Sequence, residues 1–173
     1  KEHRVTNILK VTSGSTSEIA EKVDQLYRTV IIAGSHKASS IKVAEAAKVV
    51  ENTQRDVNIA LANELSEYCE KIGINYWETK NASNSQPFCN LHYPGTGVGG
   101  FCIPIYPRII IEDADKVGKT MSLLQYSRKI NDNMPKKCVQ DALSLFNASA
   151  MARAGKICPP VPPPDNMTLN GFT

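Results

Sequence analysis

The chain has 173 residues, of which 42% are hydrophobic and 21% are charged, and its formal net charge is +3. This composition excludes a disordered chain, and the scattered basic residues give only weak support to nucleic-acid binding, which is not predicted. No apolar run approaches the ~20 residues that span a bilayer, and no apolar signal-peptide segment follows the first four residues, so neither a membrane span nor secretion is predicted.

The five cysteines lie far apart in the chain, their number is odd, and they form no CxxC pair: residues 69, 89, 102, 138 and 158. This usage is typical of a reduced compartment, so a cytoplasmic location is predicted. The three histidines, at 3, 36 and 92, have no metal-ligand spacing with one another or with a cysteine. No metal site is therefore predicted.

The first 38 residues have the pattern of a strand followed by a helix. A β-prone run covers 10–14, Thr16 or Ser17 can cap a helix, and the apolar run 30–33 is predicted as a second short strand. One such unit cannot bury both faces of a sheet by itself. Residues 1–38 are therefore predicted to be the remnant of an N-terminal NAD-binding α/β domain.

A long helix is predicted over 40–72, because apolar residues recur at helical spacing and neither Gly nor Pro intervenes before Gly73. At 1.5 Å per residue this helix would be about 50 Å long, a length typical of a helix that connects domains or lies along a subunit interface. A second helix is predicted over 75–83.

Residues 84–107 are predicted to form a loop rich in Gly and Pro, and helical pattern resumes over 109–116 and 121–134. Pro135 is predicted to open a further helical segment over 136–154, the start of a following part of the protein. The Pro-rich residues 155–173 are predicted to be disordered or extended. The pattern as a whole predicts a mainly α-helical fold with a central domain over 39–135.

The sharpest chemical signal is a glycine-rich loop followed by a cysteine. Glycines stand at 95, 97, 99 and 100, and Cys102 comes two residues after the last of them. Backbone N–H groups of such a loop can hold phosphate oxygens, and a thiol beside them has a route to an oxyanion site. The alternatives are a flexible surface turn and a small buried apolar cysteine.

A second candidate pair lies on the long helix. Lys48 and Asn52 are four residues apart and therefore project from one face. Together they could hold an anionic intermediate, Lys48 by its charge and Asn52 by hydrogen bonding. On spacing alone, a solvated polar stripe that includes Glu51 and Arg55 is the stronger interpretation.

Three segments, in order, resemble the UDP-glucose/GDP-mannose dehydrogenase family, most closely the branch that acts on UDP-N-acetylglucosamine or UDP-N-acetylmannosamine. They are residues 40–61 (SIKVAEAAKVVENTQRDVNIAL), residues 93–104 (YPGTGVGGFCIP) and residues 130–135 (INDNMP). The resemblance covers residues 5–140. It implies a central helical domain like the C-terminal domain of 6-phosphogluconate dehydrogenase, preceded by the last strand–helix unit of a Rossmann domain.

The resemblance also implies a function. A UDP-sugar would be oxidised at C6 to its uronate with NAD as acceptor, through a thiohemiacetal and a thioester on Cys102. Lys48 and Asn52 would stabilise oxyanions and position water. Tyr93 and the glycines at 95, 97, 99 and 100 would contact the nucleotide sugar. The 40–72 helix would form the core of a homodimer.

The chain departs from the family pattern in several respects, and two of them bear on the chemistry. Tyr106 stands where the family usually has an Asp, four residues after the cysteine, and the dinucleotide-binding GxGxxG between a strand and a helix is absent. A second hypothesis is therefore a dimerisation module that keeps the fold and has lost the chemistry. A thiol hydrolase is a weaker third hypothesis, because no histidine is placed to activate Cys102.

Overall fold

The computed structural model describes residues 3–153 of the chain. A short 3-10 turn over Val5–Asn7 precedes the first strand. The strands and α-helices of this range, in chain order, are β1 Lys10–Thr12, α1 Ser17–Arg28, β2 Ser35–Lys37, α2 Ile41–Lys71, α3 Tyr76–Asn84, α4 Cys102–Lys116 and α5 Ser122–Arg153. The mainly helical fold with a long central helix is confirmed.

The chain divides into two compact units between Asn52 and Thr53, within α2. In the first unit β1 and β2 pair in parallel, with Lys10 opposite Ser35. The cap predicted for α1 is confirmed, because the Thr16 hydroxyl accepts a hydrogen bond from the Ile19 N–H at 3.3 Å. Gly14 allows the turn to lie directly on α1, since a Cβ there would stand 2.3 Å from the Ala20 nitrogen.

The predicted strand over 30–33 is wrong. These residues form turns after α1, and the second strand starts at Ser35. The apolar run is only partly buried, since Ile31 is buried and Ile32 is exposed. The strand is instead fixed by its polar residue Ser35, whose hydroxyl donates to Asp24 of α1 at 2.6 Å. Apolar composition alone therefore misplaced the strand.

The second unit contains most of α2 and the three later helices. The long helix was predicted over 40–72 and is observed as α2, 31 residues or about 46 Å long. Asn75 caps α3, because its side-chain oxygen accepts from the Trp77 N–H at 2.9 Å. The side chains of Ala62, Cys69 and Tyr76 form an apolar cluster against which Leu65 and Ile74 pack.

Two predicted boundaries in this unit are wrong. The loop expected to reach residue 107 ends at Cys102, where α4 begins, and Pro107 lies inside the helix. Pro104 lies in the first turn of α4, where its missing N–H has no helical partner to lose. α5 continues through Pro135 without a break, although that proline was predicted to open a separate segment.

Within residues 3–153, no helix combines the length and the apolar character needed to cross a membrane. The Pro-rich segment 155–173, predicted to be disordered or extended, lies outside the described residues.

Candidate functional site

Cys102 is the first residue of α4, and its thiol is free and exposed. The N-terminal end of a helix has N–H groups without helical partners and carries partial positive charge. Negative charge that develops beside Cys102 is therefore favoured. Tyr106 follows one turn later on α4 and is half-buried, so a phenol and not a carboxylate shares this side of the helix.

The glycine loop that leads to Cys102 is held in place at two points. The backbone N–H of Gly95 donates to the side-chain oxygen of Asn63 at 2.9 Å. Gly97 has a φ of +144° and lies against α5, where a Cβ would stand 3.0 Å from Pro135 Cγ. Gly95 and Gly99 have open space at the Cβ position. The loop is therefore fixed at Gly95 and Gly97, and it leaves open space beside Gly95 and Gly99.

Asn63 belongs to a buried polar network between α2 and α5. Its side-chain nitrogen donates to Asn131 Oδ1 at 3.1 Å, and both residues are about 1% exposed. The Asn131 amide in turn donates to the backbone oxygen and to a carboxylate oxygen of Asp56, each at 2.9 Å. The loop is thereby connected through two amides to a buried carboxylate.

The charged end of this network is the pair of Asp56 and Arg128. Arg128 Nη1 lies 2.5 Å from Asp56 Oδ1, and both side chains are buried. Burial raises the pKa of the Asp56 carboxyl, and the positive charge of Arg128 acts in the opposite direction. Arg128 also pairs with Asp132, whose second oxygen lies 2.7 Å from an Arg108 nitrogen.

This network was not predicted from the sequence. Asp56 and Asn63 are seven residues apart on α2, two turns along one face, and Arg128 and Asn131 are three apart on α5. That spacing was the available signal. Spacing places polar residues on one face of each helix, but it does not show that the two faces pack against each other.

Tyr93, predicted to bind substrate, lies in an aromatic corner at the start of the loop. Its ring centroid is 5.5 Å from that of Trp77, and the ammonium of Lys80 lies 3.8 Å from the centre of the Tyr93 ring. The Tyr76 hydroxyl donates to the backbone oxygen of His92 at 3.0 Å. Lys80 was also missed by the sequence analysis, because its place in a short helix indicates a surface residue.

Lys48 and Asn52 lie on α2, one turn apart as predicted. The side-chain amide of Asn52 donates to the Lys48 backbone oxygen at 3.2 Å, and the Lys48 ammonium lies 3.2 Å from a carboxylate oxygen of Glu51. Asn52 is buried, whereas Lys48 is exposed. Both belong to the first unit, while Cys102 and the glycine loop belong to the second.

The described residues do not fit a dinucleotide cofactor by themselves. Gly95, Gly97 and Gly100 have the spacing of a GxGxxG turn, but the loop follows helix α3 and not a strand, and the Gly95 N–H is already bonded to Asn63. In the β1–α1 turn, Gly14 packs against the helix backbone, and this turn has one glycine where a GxGxxG turn has three. No chemical step is therefore assigned to a cofactor held by these residues.

A sequence model described as the UDP-glucose/GDP-mannose dehydrogenase family, central domain, matches residues 42–133. The chain belongs to this family, and the resemblance predicted from the sequence is confirmed. The matched range includes Lys48, Asn52, the glycine loop and Cys102.

Individual relatives agree with this assignment. A UDP-N-acetyl-D-glucosamine 6-dehydrogenase of Pseudomonas aeruginosa is 52% identical over 138 residues, which are 78% of this chain and 32% of that protein. A UDP-N-acetyl-D-mannosamine dehydrogenase of Methanocaldococcus jannaschii is 42% identical over 126 residues, 73% of this chain and 28% of that protein.

A solved structure, the UDP-D-ManNAc dehydrogenase of Pyrococcus horikoshii, has a TM-score of 0.73 and 32% identity, covering 87% of this chain and 34% of that one. The chain thus spans about a third of the length of the relatives it matches.

Proposed function

We propose that this chain supplies the thiol-bearing central domain of an enzyme that oxidises a UDP-N-acetylhexosamine at C6 to its uronate. The observation that carries the proposal is the position of Cys102, exposed at the start of α4 and directly after a glycine loop anchored by Asn63. Both the thiol and the loop lie within the range matched to the dehydrogenase family. The names of the relatives support a UDP-N-acetylhexosamine as substrate.

In this proposal Cys102 is the nucleophile. Its sulfur adds to the C6 aldehyde carbon, an S–C bond forms, and the thiol proton passes to the carbonyl oxygen. At the later thioester stage, water adds to the carbonyl carbon, the S–C bond breaks, and the carboxylate is released with the thiol restored. NAD is the proposed oxidant of the whole enzyme, with two NAD reduced per sugar: one for oxidation of the alcohol to the aldehyde and one for oxidation of the thiohemiacetal to the thioester. Residues 1–38 are the proposed end of the domain that would bind NAD.

The other predicted site residues have supporting roles in this proposal. Lys48 and Asn52 stabilise the oxyanions and position water, and Tyr93 with Gly95, Gly97, Gly99 and Gly100 contacts the nucleotide sugar. The exposed ring of Tyr93 and the open Cβ positions at Gly95 and Gly99 support contact with a ligand. A glycine loop lets backbone approach a ligand more closely than side chains would allow.

Protection of Cys102 from alkylation tests the proposal on the full chain. The chain is treated with iodoacetamide in the presence and absence of UDP-N-acetylglucosamine or UDP-N-acetylmannosamine, and each cysteine is quantified by peptide mass spectrometry. We expect either UDP-sugar to slow alkylation of Cys102 at least fivefold, because a substrate placed for attack by sulfur also covers it. Half-buried Cys89 is the internal control, and its rate should not change.

An unchanged rate at Cys102 with both UDP-sugars at saturating concentration would count against the proposal. Equal protection by uridine alone would also do so, since binding of the base does not require the sugar to reach the thiol.

We also propose that the chain forms a homodimer through the 40–72 helix. Several apolar side chains of α2 are left exposed in the single chain: Ile41, Val43, Val50, Leu61 and Tyr68. Exposed apolar side chains grouped along one element are typical of an interface. Sedimentation velocity of the full chain tests this proposal, with Leu61→Glu expected to shift a dimer to a monomer and Val139→Glu on α5 as the control. A wild-type monomer at high micromolar concentration would refute it.

The alternative proposal is a non-catalytic central domain that retains dimerisation. Tyr106, one turn after Cys102, supports it, because it stands where the resemblance to the family leads us to expect a carboxylate. The two proposals differ in the alkylation experiment, since a domain without the chemistry has no reason to place C6 of the sugar at Cys102. The cytoplasmic location stays a prediction from the cysteine pattern.

A further inference from the structure

Lys80 is a lysine in the interior of the second unit. It lies on α3 and is about 5% exposed, whereas lysines are almost never fully buried unless they are paired. Its ammonium lies over the Tyr93 ring, 3.8 Å from the ring centre. A cation over an aromatic face is stabilised, but this interaction offsets only part of the loss of hydration.

The charge of Lys80 is not matched by an acidic side chain. In the part of the chain that the structure describes, no carboxylate lies within ion-pair distance of its ammonium, whereas exposed Lys116 pairs with Asp113 at 3.0 Å. A buried ammonium without a counter-charge is unfavourable in an empty protein. The Lys80 ammonium is therefore suited to bind the anionic group of a ligand.

The neighbouring groups add positive charge. Burial lowers the pKa of the half-buried His92 imidazole, and the positive charges of Arg55 and Lys80 lower it further. Arg55 on α2 and Lys80 on α3 therefore both lie near enough to His92 for their charges to act on its imidazole. An anion placed beside Lys80 interacts with a buried ammonium and with the positive charge of the exposed Arg55, and the His92 imidazole can donate a hydrogen bond to it.

The outer side of this region is aromatic. Trp77 and Tyr93 are 53% and 63% exposed, and their ring centroids are 5.5 Å apart. Exposed aromatic rings next to a buried charge suit a ligand that has both an apolar ring and an anionic group. Tyr93 is also the first residue of the glycine loop that leads to Cys102.

We propose that Lys80, with Arg55 and His92, forms an anion-binding subsite beside Tyr93, and that its ligand is the diphosphate of the nucleotide substrate. This inference rests on the proposed function, because it takes a nucleoside diphosphate sugar to be the substrate. It adds Lys80 to the proposed site, as the residue whose positive charge binds the diphosphate. Trp77, the one tryptophan of the chain, provides a fluorescence signal at the subsite.

Fluorescence titration of the full chain tests the subsite, with UDP, inorganic pyrophosphate and uridine as the probes. Lys80→Met removes the charge at similar length, Lys80→Arg retains it, and Lys116→Met is the matched control on the surface. We expect UDP and pyrophosphate to bind Lys80→Met at least about tenfold more weakly than wild type, the loss of a charge-assisted contact. Lys80→Arg should recover to within about threefold, and uridine affinity should not depend on Lys80.

Two results would overturn the subsite: a wild-type chain that binds neither UDP nor pyrophosphate, or a Lys80→Met variant whose UDP affinity stays within twofold of wild type. Circular dichroism establishes that each variant is folded. If Lys80→Met unfolds, Arg55→Met replaces it, because Arg55 is exposed and its removal should still weaken pyrophosphate binding by about threefold or more. An unchanged affinity in Arg55→Met would then overturn the subsite.

The subsite and the proposed function can fail separately. UDP binding that depends on Lys80, without protection of Cys102 by UDP-sugars, would support the subsite and contradict the function. Protection of Cys102 that is equal in wild type and Lys80→Met would support the function and contradict the subsite.

Discussion

The side-chain amide of Asn63 is bonded at both ends: its oxygen accepts from the Gly95 N–H at 2.9 Å, and its nitrogen donates to Asn131 at 3.1 Å. The amide therefore cannot rotate without breaking two hydrogen bonds, one of them fully buried. Because Asn63 is on α2 and Asn131 is on α5, the start of the glycine loop is fixed by the packing of these two helices. The position of the loop thus depends on residues that do not belong to it.

Replacing Asn63 by Ala tests this relationship. We expect Asn63→Ala to lower the free energy of unfolding by about 1–3 kcal/mol, because Asn131 Oδ1 and the Gly95 N–H both lose their partner. The free energy is measured by urea unfolding followed by circular dichroism. Asn81→Ala, at an exposed position of α3, is the control and should stay within about 0.5 kcal/mol of wild type. Equal stability of the two variants would contradict the role of Asn63.

Gly97 and Gly99 provide a second test within the loop. Gly97 has a φ of +144°, and a Cβ there would stand 3.0 Å from Pro135 Cγ, whereas nothing lies within 4 Å of a Cβ at Gly99. We expect Gly97→Ala to destabilise the chain by more than about 1 kcal/mol, because alanine disfavours this backbone conformation. Gly99→Ala should have a much smaller effect. Thermal unfolding of both variants measures the difference, and a larger loss for Gly99→Ala would refute this account of the loop.

The helices could be predicted where local signals agree. α2 has uninterrupted helical periodicity and a glycine after its end, and both α2 and α3 were predicted to within one residue at each end. The start of α4 and the continuity of α5 were missed because proline was interpreted as a break. Pro104 and Pro107 lie in the first two turns of α4, and Pro135 lies against Gly97. The contact of Pro135 with Gly97 joins residues far apart in the sequence, so local sequence patterns do not predict it.

Less of the candidate site than of the helices could be predicted, because its side chains are held by contacts between residues far apart in the sequence. The partners of Asp56 are 72 and 75 residues away, at Arg128 and Asn131. Periodicity assigns such residues to a helix face but does not show what lies opposite. Burial of Lys80 depends in the same way on Tyr93, 13 residues later in a loop. The roles of Cys102, Lys48 and Asn52 stay predictions.

Asp24 makes the first unit sensitive to acid. Its carboxylate accepts from Ser35 at 2.6 Å, from Arg28 at 2.6 Å and from Thr12 at 2.8 Å, so it joins α1 to both strands. The hydrogen bond from Ser35, followed by those from Arg28 and Thr12, lowers the Asp24 pKa from 3.8 to about 2. A carboxyl whose pKa is lower in the folded state stabilises the fold above its unfolded pKa, and the stabilisation is lost as the pH falls toward the folded pKa.

We therefore expect the wild-type chain to lose stability between about pH 4 and pH 2 in part through Asp24. Asp24→Asn should have a smaller loss over this range, because an amide does not titrate. Urea unfolding at several values between pH 5 and pH 2 measures the slope, and Asp115→Asn, at an exposed position of α4, is the control. A slope that is the same in wild type and Asp24→Asn would contradict the assignment.

The pair of Asp56 and Arg128 gives the strongest expected effect. Arg128→Met leaves the Asp56 carboxylate buried without its counter-charge, and we expect a loss of about 3–5 kcal/mol at pH 7. Arg108→Met, which removes the exposed partner of Asp132, is the control and should cost less than about 1 kcal/mol. Urea unfolding at pH 7 measures both losses.

The pH dependence of this variant separates a charge effect from a packing effect. Burial already raises the folded-state pKa of Asp56, and the loss of Arg128 removes the positive charge that opposes this shift. A group whose folded pKa is raised favours the folded state at low pH and loses that contribution as the pH rises through the folded pKa. Arg128→Met should therefore be less destabilised, relative to wild type, at pH 4.5 than at pH 7. The double variant Asp56→Asn with Arg128→Met should recover part of the stability lost at pH 7. A defect of packing alone would instead lower the stability equally at both pH values, and Asp56→Asn would not relieve it.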